Sequence, residues 1–301
     1  MYNQIDSNKR KTALLIIIFI ALIVLLGFVF SQLTQMGYSG VAIAAVIAIL
    51  MALGGYYQGD KLALSTAGAK GPIVKQDNPY LYRLVENLSI ASGLPLLKVY
   101  LIPENAINAF ATGRDPKHAS IAVTTGAVEK LANEELEGVL AHELSHIKNY
   151  DIRLMTVVIV LVGVIALLSD WFIRVRFWGG GRGHGDSKSS GQIQAVLLLV
   201  GVILLILSPL IGQLIQLAIS RKREFLADAS SALLTRYPEG LAKALEKIAR
   251  EDMPVQRANN ATAHLYIASP FGRKKHSMAK FFSTHPSIEE RIALLRKMIS
   301  H

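Results

Sequence analysis

The sequence contains no cysteine, which excludes disulfides, thiol catalysis and Cys-ligated zinc or iron–sulfur centres. Charge is scarce too: 18% of the 301 residues are Asp, Glu, Lys or Arg, whereas 51% are hydrophobic. A disordered chain needs the opposite balance and is excluded. With 23 Gly and 10 Pro, collagen-like and low-complexity classes are excluded as well. What remains is a chain of mean hydropathy +0.37, too apolar for a soluble protein of this length. The composition is that of a membrane protein. Acidic residues are the rarer sign, 22 against 32 basic ones. From Arg221 onward there are 15 basic and 8 acidic residues, so most of the surplus lies in the last quarter. No nucleic-acid motif accompanies it; the expected partner is an anionic lipid bilayer and not nucleic acid.

Long uncharged runs divide the chain. Ala13–Phe30 would span about 27 Å as a helix, just enough for a hydrocarbon core. Val41–Tyr57 is a second such run, reached through a short turn near Met36 and Ser39. No small-residue cleavage site follows the first run, so it reads as a span and not a signal peptide. Lys9, Arg10 and Lys11 precede it, while Ser31–Gly40 carries no Lys or Arg. The positive-inside rule then places the N-terminus, and the chain after Tyr57, in the cytoplasm. Two further apolar stretches, Leu154–Ser169 and Ala195–Ile219, read as a second hairpin. The loop expected between them holds Trp171, Trp178 and the glycine-rich tip Gly179–Gly185. No strand precedes those glycines, which makes them a linker and not a phosphate loop, and His184 has no partner spacing. Arg174, Arg176, Arg182 and Lys188 in that loop disfavour translocation, so full crossing and a shallow dip both stay open.

The expected organisation is an N-terminal transmembrane hairpin (1–57), a cytoplasmic segment (58–153), the second apolar hairpin (154–219) and a C-terminal cytoplasmic segment (220–301). Within the first cytoplasmic segment, Lys98–Ile102, Ile107–Ala111 and Ser120–Thr124 are short, partly β-branched runs. They predict a small antiparallel meander. Asn133 is the expected N-cap of a helix reaching about Lys148, with Glu134, Glu135 and Glu137 near its positive end and Leu136, Val139, Leu140 and Leu144 on its apolar side.

That helix carries His142-Glu143-Leu144-Ser145-His146. Residues four apart lie one turn apart, so both imidazoles project from one face and can hold one ion, with Glu143 within reach of a water on it. A catalytic zinc takes three protein ligands, and without cysteine the third is His, Asp or Glu. Glu224, in Arg223-Glu224-Phe225-Leu226-Ala227-Asp228, is the candidate, and Asp228 four residues on is placed to hold a ligand imidazole in its metal-binding tautomer. The alternative for this segment is a basic cap at a membrane boundary, with Glu224 pairing its neighbours.

These motifs, in order with Asn108-Ala109-Phe110-Ala111-Thr112-Gly113 and Thr284-His285-Pro286, resemble the HtpX-type bacterial membrane zinc metalloproteases, relatives of the type I CAAX prenyl proteases. The resemblance covers nearly the whole chain. It implies a mainly α multi-pass membrane protein with a zincin-like α+β protease domain, a small antiparallel sheet and the His142–His146 helix. It implies one Zn2+ held by His142, His146 and Glu224, with Glu143 as the catalytic glutamate assisting attack by water. It implies an edge strand at Asn108, Ala109, Phe110 and Ala111 that pairs with extended substrate. It also implies the bacterial cytoplasmic (inner) membrane and unfolded or misfolded membrane proteins as substrates; the positive-inside rule has the site facing the cytoplasm.

Other readings remain. His285 either helps stabilise an oxyanion or lies in the turn before a helix begun by Ser287 and Glu290. His118, His264, His276 and His301 are expected at the surface. A CAAX-type prenyl protease would share the site but act on lipidated peptides. A zinc-dependent transporter would bury ionisable residues in its spans, and the four apolar runs hold none. A scaffold keeping zinc only for folding would have no use for Glu143.

Overall fold

The computed structural model describes residues 2–178, 220–251, 253–258, 262–271 and 286–298. The Ala195–Ile219 stretch, the Gly179–Gly185 tip with His184, and His276, His285 and His301 lie outside them.

Helix α1 (Tyr2–Thr34) and helix α2 (Tyr38–Thr66) form a hairpin around the turn at Gln35 and Gly37, both at positive φ. The helices touch where side chains are smallest: a Cβ on Gly27 would lie 2.0 Å from that of Ala44. Both are long and apolar enough to cross a membrane, and only 17% and 11% of their most apolar windows are buried. A core helix of a soluble protein would bury that surface; here Leu14, Ile17, Leu25, Ile43 and Leu50 all face outward, a surface suited to lipid. Helix α2 runs past the uncharged run to Thr66, taking in Asp60 and Lys61.

Helix α3 (Pro79–Ser92) starts where the Asn78 side chain accepts from Leu81 N–H, and it stops at Gly93 in the left-handed conformation. Strands β1 (Lys98–Ile102), β2 (Ala109–Gly113) and β3 (Ala119–Thr124) follow, the second two residues later than predicted. They are not an antiparallel meander. The order is β1-β3-β2, with β3 parallel to β1 and antiparallel to β2. The segment opening with Pro103 carries the chain past the central position, and β3, buried at every residue, fills it. Side chains alternate between the faces. Ala109, Ala111, Ile121 and Val123 pack with α3 and with the helix α5 (Asn133–Lys148), while Phe110, Ala122 and Ile102 pack with Ala63 and Leu64 of α2.

A six-residue helix α4 (Thr125–Lys130), capped by the Thr124 hydroxyl, leads into α5. Ala132 and not Asn133 occupies the N-cap of α5; the Glu135 carboxylate accepts from Ala132 N–H at 2.8 Å, satisfying the orphan donor from within the helix. Helix α6 (Asp151–Trp178) follows almost at once and packs along α1 and α2, with Val160 and Thr156 against Gly55 and Gly59. Trp171 and Trp178 therefore belong to this helix and not to a loop, because nothing after Ser169 breaks helical geometry before the glycines. Helices α7 (Arg221–Thr235), α8 (Pro238–Glu251) and α9 (Ile288–Lys297) complete the α-helices among the described residues, and the segment 262–271 between α8 and α9 holds a short 3-10 turn, Ala263–Leu265. The Ser287 hydroxyl accepts from Glu290 N–H at the start of α9. His264 is buried and not at the surface, with Nε2 3.1 Å from the Met155 carbonyl oxygen.

Helix α5 meets α8 at Gly138, where an added Cβ would sit 2.7 Å from Leu241 N. Gly138→Val should destabilise the chain by about 2 kcal/mol or more, since the neighbour is backbone and cannot yield. Denaturant unfolding of the full chain in detergent checks this.

Candidate active site

Helix α5 presents no broad solvent face. From Gly138 to Ile147 every residue is buried, so its polar side chains meet protein and not water. His142, Glu143 and His146 are none more than 4% exposed. Helix α7 brings Glu224, 1% exposed, against them. One ligand atom each from His142, His146 and Glu224 lie within 4.8 Å of one another. The two Nε2 atoms are 3.2 Å apart, and the Glu224 carboxylate lies 3.8 Å from His142 Nε2 and 3.6 Å from His146 Nε2.

The far sides of both rings are held. His142 Nδ1 lies 2.9 Å from Asp228 Oδ1, as the spacing on α7 predicts. His146 Nδ1 lies 3.0 Å from Asp151 Oδ2, which opens α6 just beyond Tyr150 at φ 60°. A carboxylate on each Nδ1 selects the Nδ1–H tautomer and turns both Nε2 lone pairs toward the same point. Lone pairs facing each other at that distance repel unless a cation or proton lies between them. The arrangement therefore fits a divalent ion on chemical grounds.

The electrostatics follow from burial and neighbours. Burial pushes the Glu143 carboxyl up to about 8, partly opposed by His146 and the Ala111 amide. Burial lowers His142 to about 4 despite its bond to Asp228, with Arg291 adding to the effect. His146 moves to about 9, because Asp151 and Glu224 outweigh its desolvation. Asp228 lies near 2: burial opposes ionisation, and Arg291 overcomes it.

Glu143 is fixed by one oxygen only. Its Oε2 accepts from Ala111 N–H of β2 at 2.9 Å, while its Oε1 is buried with no hydrogen bond among the described residues. Strand β2 is an edge of the sheet, yet its outer side is engaged. Ala109 O accepts from Ile267 N–H at 3.1 Å, and Asn108 Nδ2 donates to Ala268 O at 3.3 Å. Phe110 points to the opposite face and stacks edge-on against Tyr266. Of the four edge-strand residues, Ala111 thus touches the reactive cluster directly.

Sequence reasoning missed Arg291 and Asp151. Arg291, fully buried on α9, grips Asp228 with two bonds of 2.9 and 2.7 Å and donates to Ile267 O at 2.8 Å. Its position after Ser287-Ile288-Glu289-Glu290 reads as an exposed helix turn, and no local signal marks it. Asp151 carried a signal, an acidic residue five positions past His146, but only the chain reversal at Tyr150 brings it to the ring. Replacing Arg291 by Leu strands the Asp228 carboxylate, and stability should fall by about 3–5 kcal/mol. Arg291→Lys should recover only part of this, lacking the two-pronged fork; denaturant titration distinguishes the three chains.

Residues 75–299 match peptidase family M48. A "Protease HtpX homolog" of Thermoanaerobacter pseudethanolicus is 44% identical over 299 residues, covering 99% of this chain and 98% of the relative. One of Lactobacillus helveticus is 42% identical over 304 residues, covering 99% of this chain and all of the relative. Among solved structures, "Crystal Structure of S. mikatae Ste24p" aligns with a TM-score of 0.52 and 18% identity, covering 98% of this chain and 67% of that one. At that identity the likeness concerns the fold alone. With its apolar helical hairpin and its His/His/Glu cluster, this chain belongs to peptidase family M48 and is a membrane metalloprotease.

Proposed function

We propose that the chain is a multi-pass zinc endopeptidase of the bacterial cytoplasmic membrane, its site facing the cytoplasm, acting on unfolded or misfolded membrane proteins. The observation that carries the reading is the convergence of His142 Nε2, His146 Nε2 and the Glu224 carboxylate beside a Glu143 held by a single oxygen. Two imidazoles and a carboxylate favour zinc over calcium or magnesium, which prefer all-oxygen sites. Orientation has separate support. The N-terminal turns of α1, with Lys9, Arg10 and Lys11, lie on the same side as the cluster, and basic residues favour the cytoplasmic side. The basic last quarter would then face the anionic leaflet.

His142, His146 and Glu224 would hold the ion, which when bound polarises the peptide carbonyl and acidifies water. Glu143 Oε1 is free to take a proton from the attacking water, because Ala111 N–H keeps Oε2 and so fixes the plane of the carboxylate. The same oxygen then delivers the proton to the departing amine. Asp228 and Asp151 keep both rings in one tautomer throughout. Substrate would pair in extended form along β2, taking Ala109 O from Ile267 N–H. Pairing of that kind reads backbone more than side chains, which suits a broad range of unfolded segments.

The zinc-loaded, detergent-solubilised chain should cleave a denatured protein. Glu143→Gln should keep its zinc and lose about 10²–10⁴-fold in rate, the range of a general base; equal cleavage by the two chains would sink the mechanism. Prolonged chelation should abolish cleavage by the parent, and added Zn2+ should restore it. Glu224→Ala should show neither zinc retention nor restoration, as metal analysis of the purified chain will show.

A further inference from the structure

The start of α1 is more than the lead-in to a membrane span. Asn8 lies one turn ahead of the first uncharged run, and it is 1% exposed. Its amide reaches into the ground on which the metal cluster stands. Nδ2 donates to Asp151 Oδ1 at 2.7 Å and to the Asn149 carbonyl oxygen at 2.9 Å. Oδ1 accepts from Arg223 Nη1 at 3.0 Å. The other oxygen of Asp151 is the one held against His146 Nδ1, and Arg223 is the residue immediately before Glu224. The same Arg223 nitrogen stands 3.4 Å from Asp151 Oδ1. One side chain of the N-terminal helix thus touches the carboxylate behind one imidazole and the arginine that precedes the carboxylate ligand in the chain.

The neighbours settle which way the amide faces. Turned over, its oxygen would meet the Asp151 carboxylate and the Asn149 carbonyl, and its NH2 would meet a guanidinium; every contact would be repulsive. The backbone of that turn is held as well, since the Asn8 carbonyl accepts from the Thr12 hydroxyl at 2.8 Å. A group that fixes the carboxylate behind a metal-binding histidine sets the direction of that histidine's lone pair.

We propose that Asn8 is a positioning residue of the metal site, so that the N-terminal helix completes the active site in addition to spanning the membrane. The proposal rests on the reading of His142, His146 and Glu224 as zinc ligands.

The test uses the full chain in detergent, with Zn2+ as the probe, in four forms: parent, Asn8→Leu, Asn8→Asp and Asp6→Asn. Asn8→Leu removes all three polar contacts. Asn8→Asp keeps the shape and the acceptor for Arg223 but loses the donor to Asp151, so it serves where the leucine variant does not fold. Asp6 is exposed two residues away and serves as the control. Zinc affinity is read by competition with a chromogenic chelator, melting temperature with and without zinc, and cleavage as separate kcat and KM. Both Asn8 variants should bind zinc about 10-fold more weakly, the lower end of the effect of removing a group bonded to a metal ligand, since Asn8 acts through Asp151. Their gain in melting temperature on adding zinc should shrink, kcat should fall with KM little changed, and Asp6→Asn should match the parent. Parental zinc affinity in Asn8→Asp overturns the proposal. So does an equal fall in melting temperature with and without zinc, which would mark Asn8 as packing only. A parent that holds no zinc overturns instead the metal reading underneath, which keeps the two failures apart.

Discussion

Each imidazole on α5 gives its Nδ1–H to a buried carboxylate, and the geometry of the site depends on those two bonds. They choose the tautomer, aim both Nε2 lone pairs at one point and set the third donor, Glu224, opposite them. The supporting carboxylates come from different helices, so the pair of bonds also dictates how those helices pack. Asp228 arrives on α7 and requires Arg291 from α9 to offset its buried charge. Asp151 arrives at the head of α6 and is tied to α1 through Asn8. A cluster that looks local on one helix therefore draws on most of the elements around it.

This arrangement couples the apolar hairpin to the body that carries the site. Helix α6 begins at the Tyr150 reversal, supplies Asp151, and then packs Thr156 and Val160 against two glycines of α2. The small residues bring the helices close enough that the sheet rests on the same surface, with Thr112 Oγ1 3.0 Å from Thr156 Oγ1. Burial supplies the electrostatic consequence. With water excluded, charges act on one another through a poor dielectric, and the Glu143 carboxylate is a stronger base than an exposed glutamate would be.

Much of this was legible from residue order. The spacing of His142 and His146, the acidic neighbour Glu143 and the Glu224–Asp228 pair place side chains one helical turn apart, and helical geometry alone puts them on common faces. The apolar runs of α1 and α2 read directly, because lipid-facing surface needs no partner to explain it. The sheet read less well. Short apolar runs reveal strands but not their order, and the central position of β3 follows from the path of the chain after Pro103. The course of α6 through both tryptophans was hidden for a similar reason: aromatic residues suit a headgroup loop and a helix end equally.

Residue order sets the chemistry available: which side chains can bind, which can move a proton, and which surfaces water cannot cover. Those properties reside in residue type and in spacings of three or four, where covalent geometry leaves little freedom. The supports come from long-range packing. Arg291 reaches Asp228 across 63 positions, and Asn8 reaches Asp151 across 143. Contacts of that range follow from the packing of whole helices, and no local pattern encodes them.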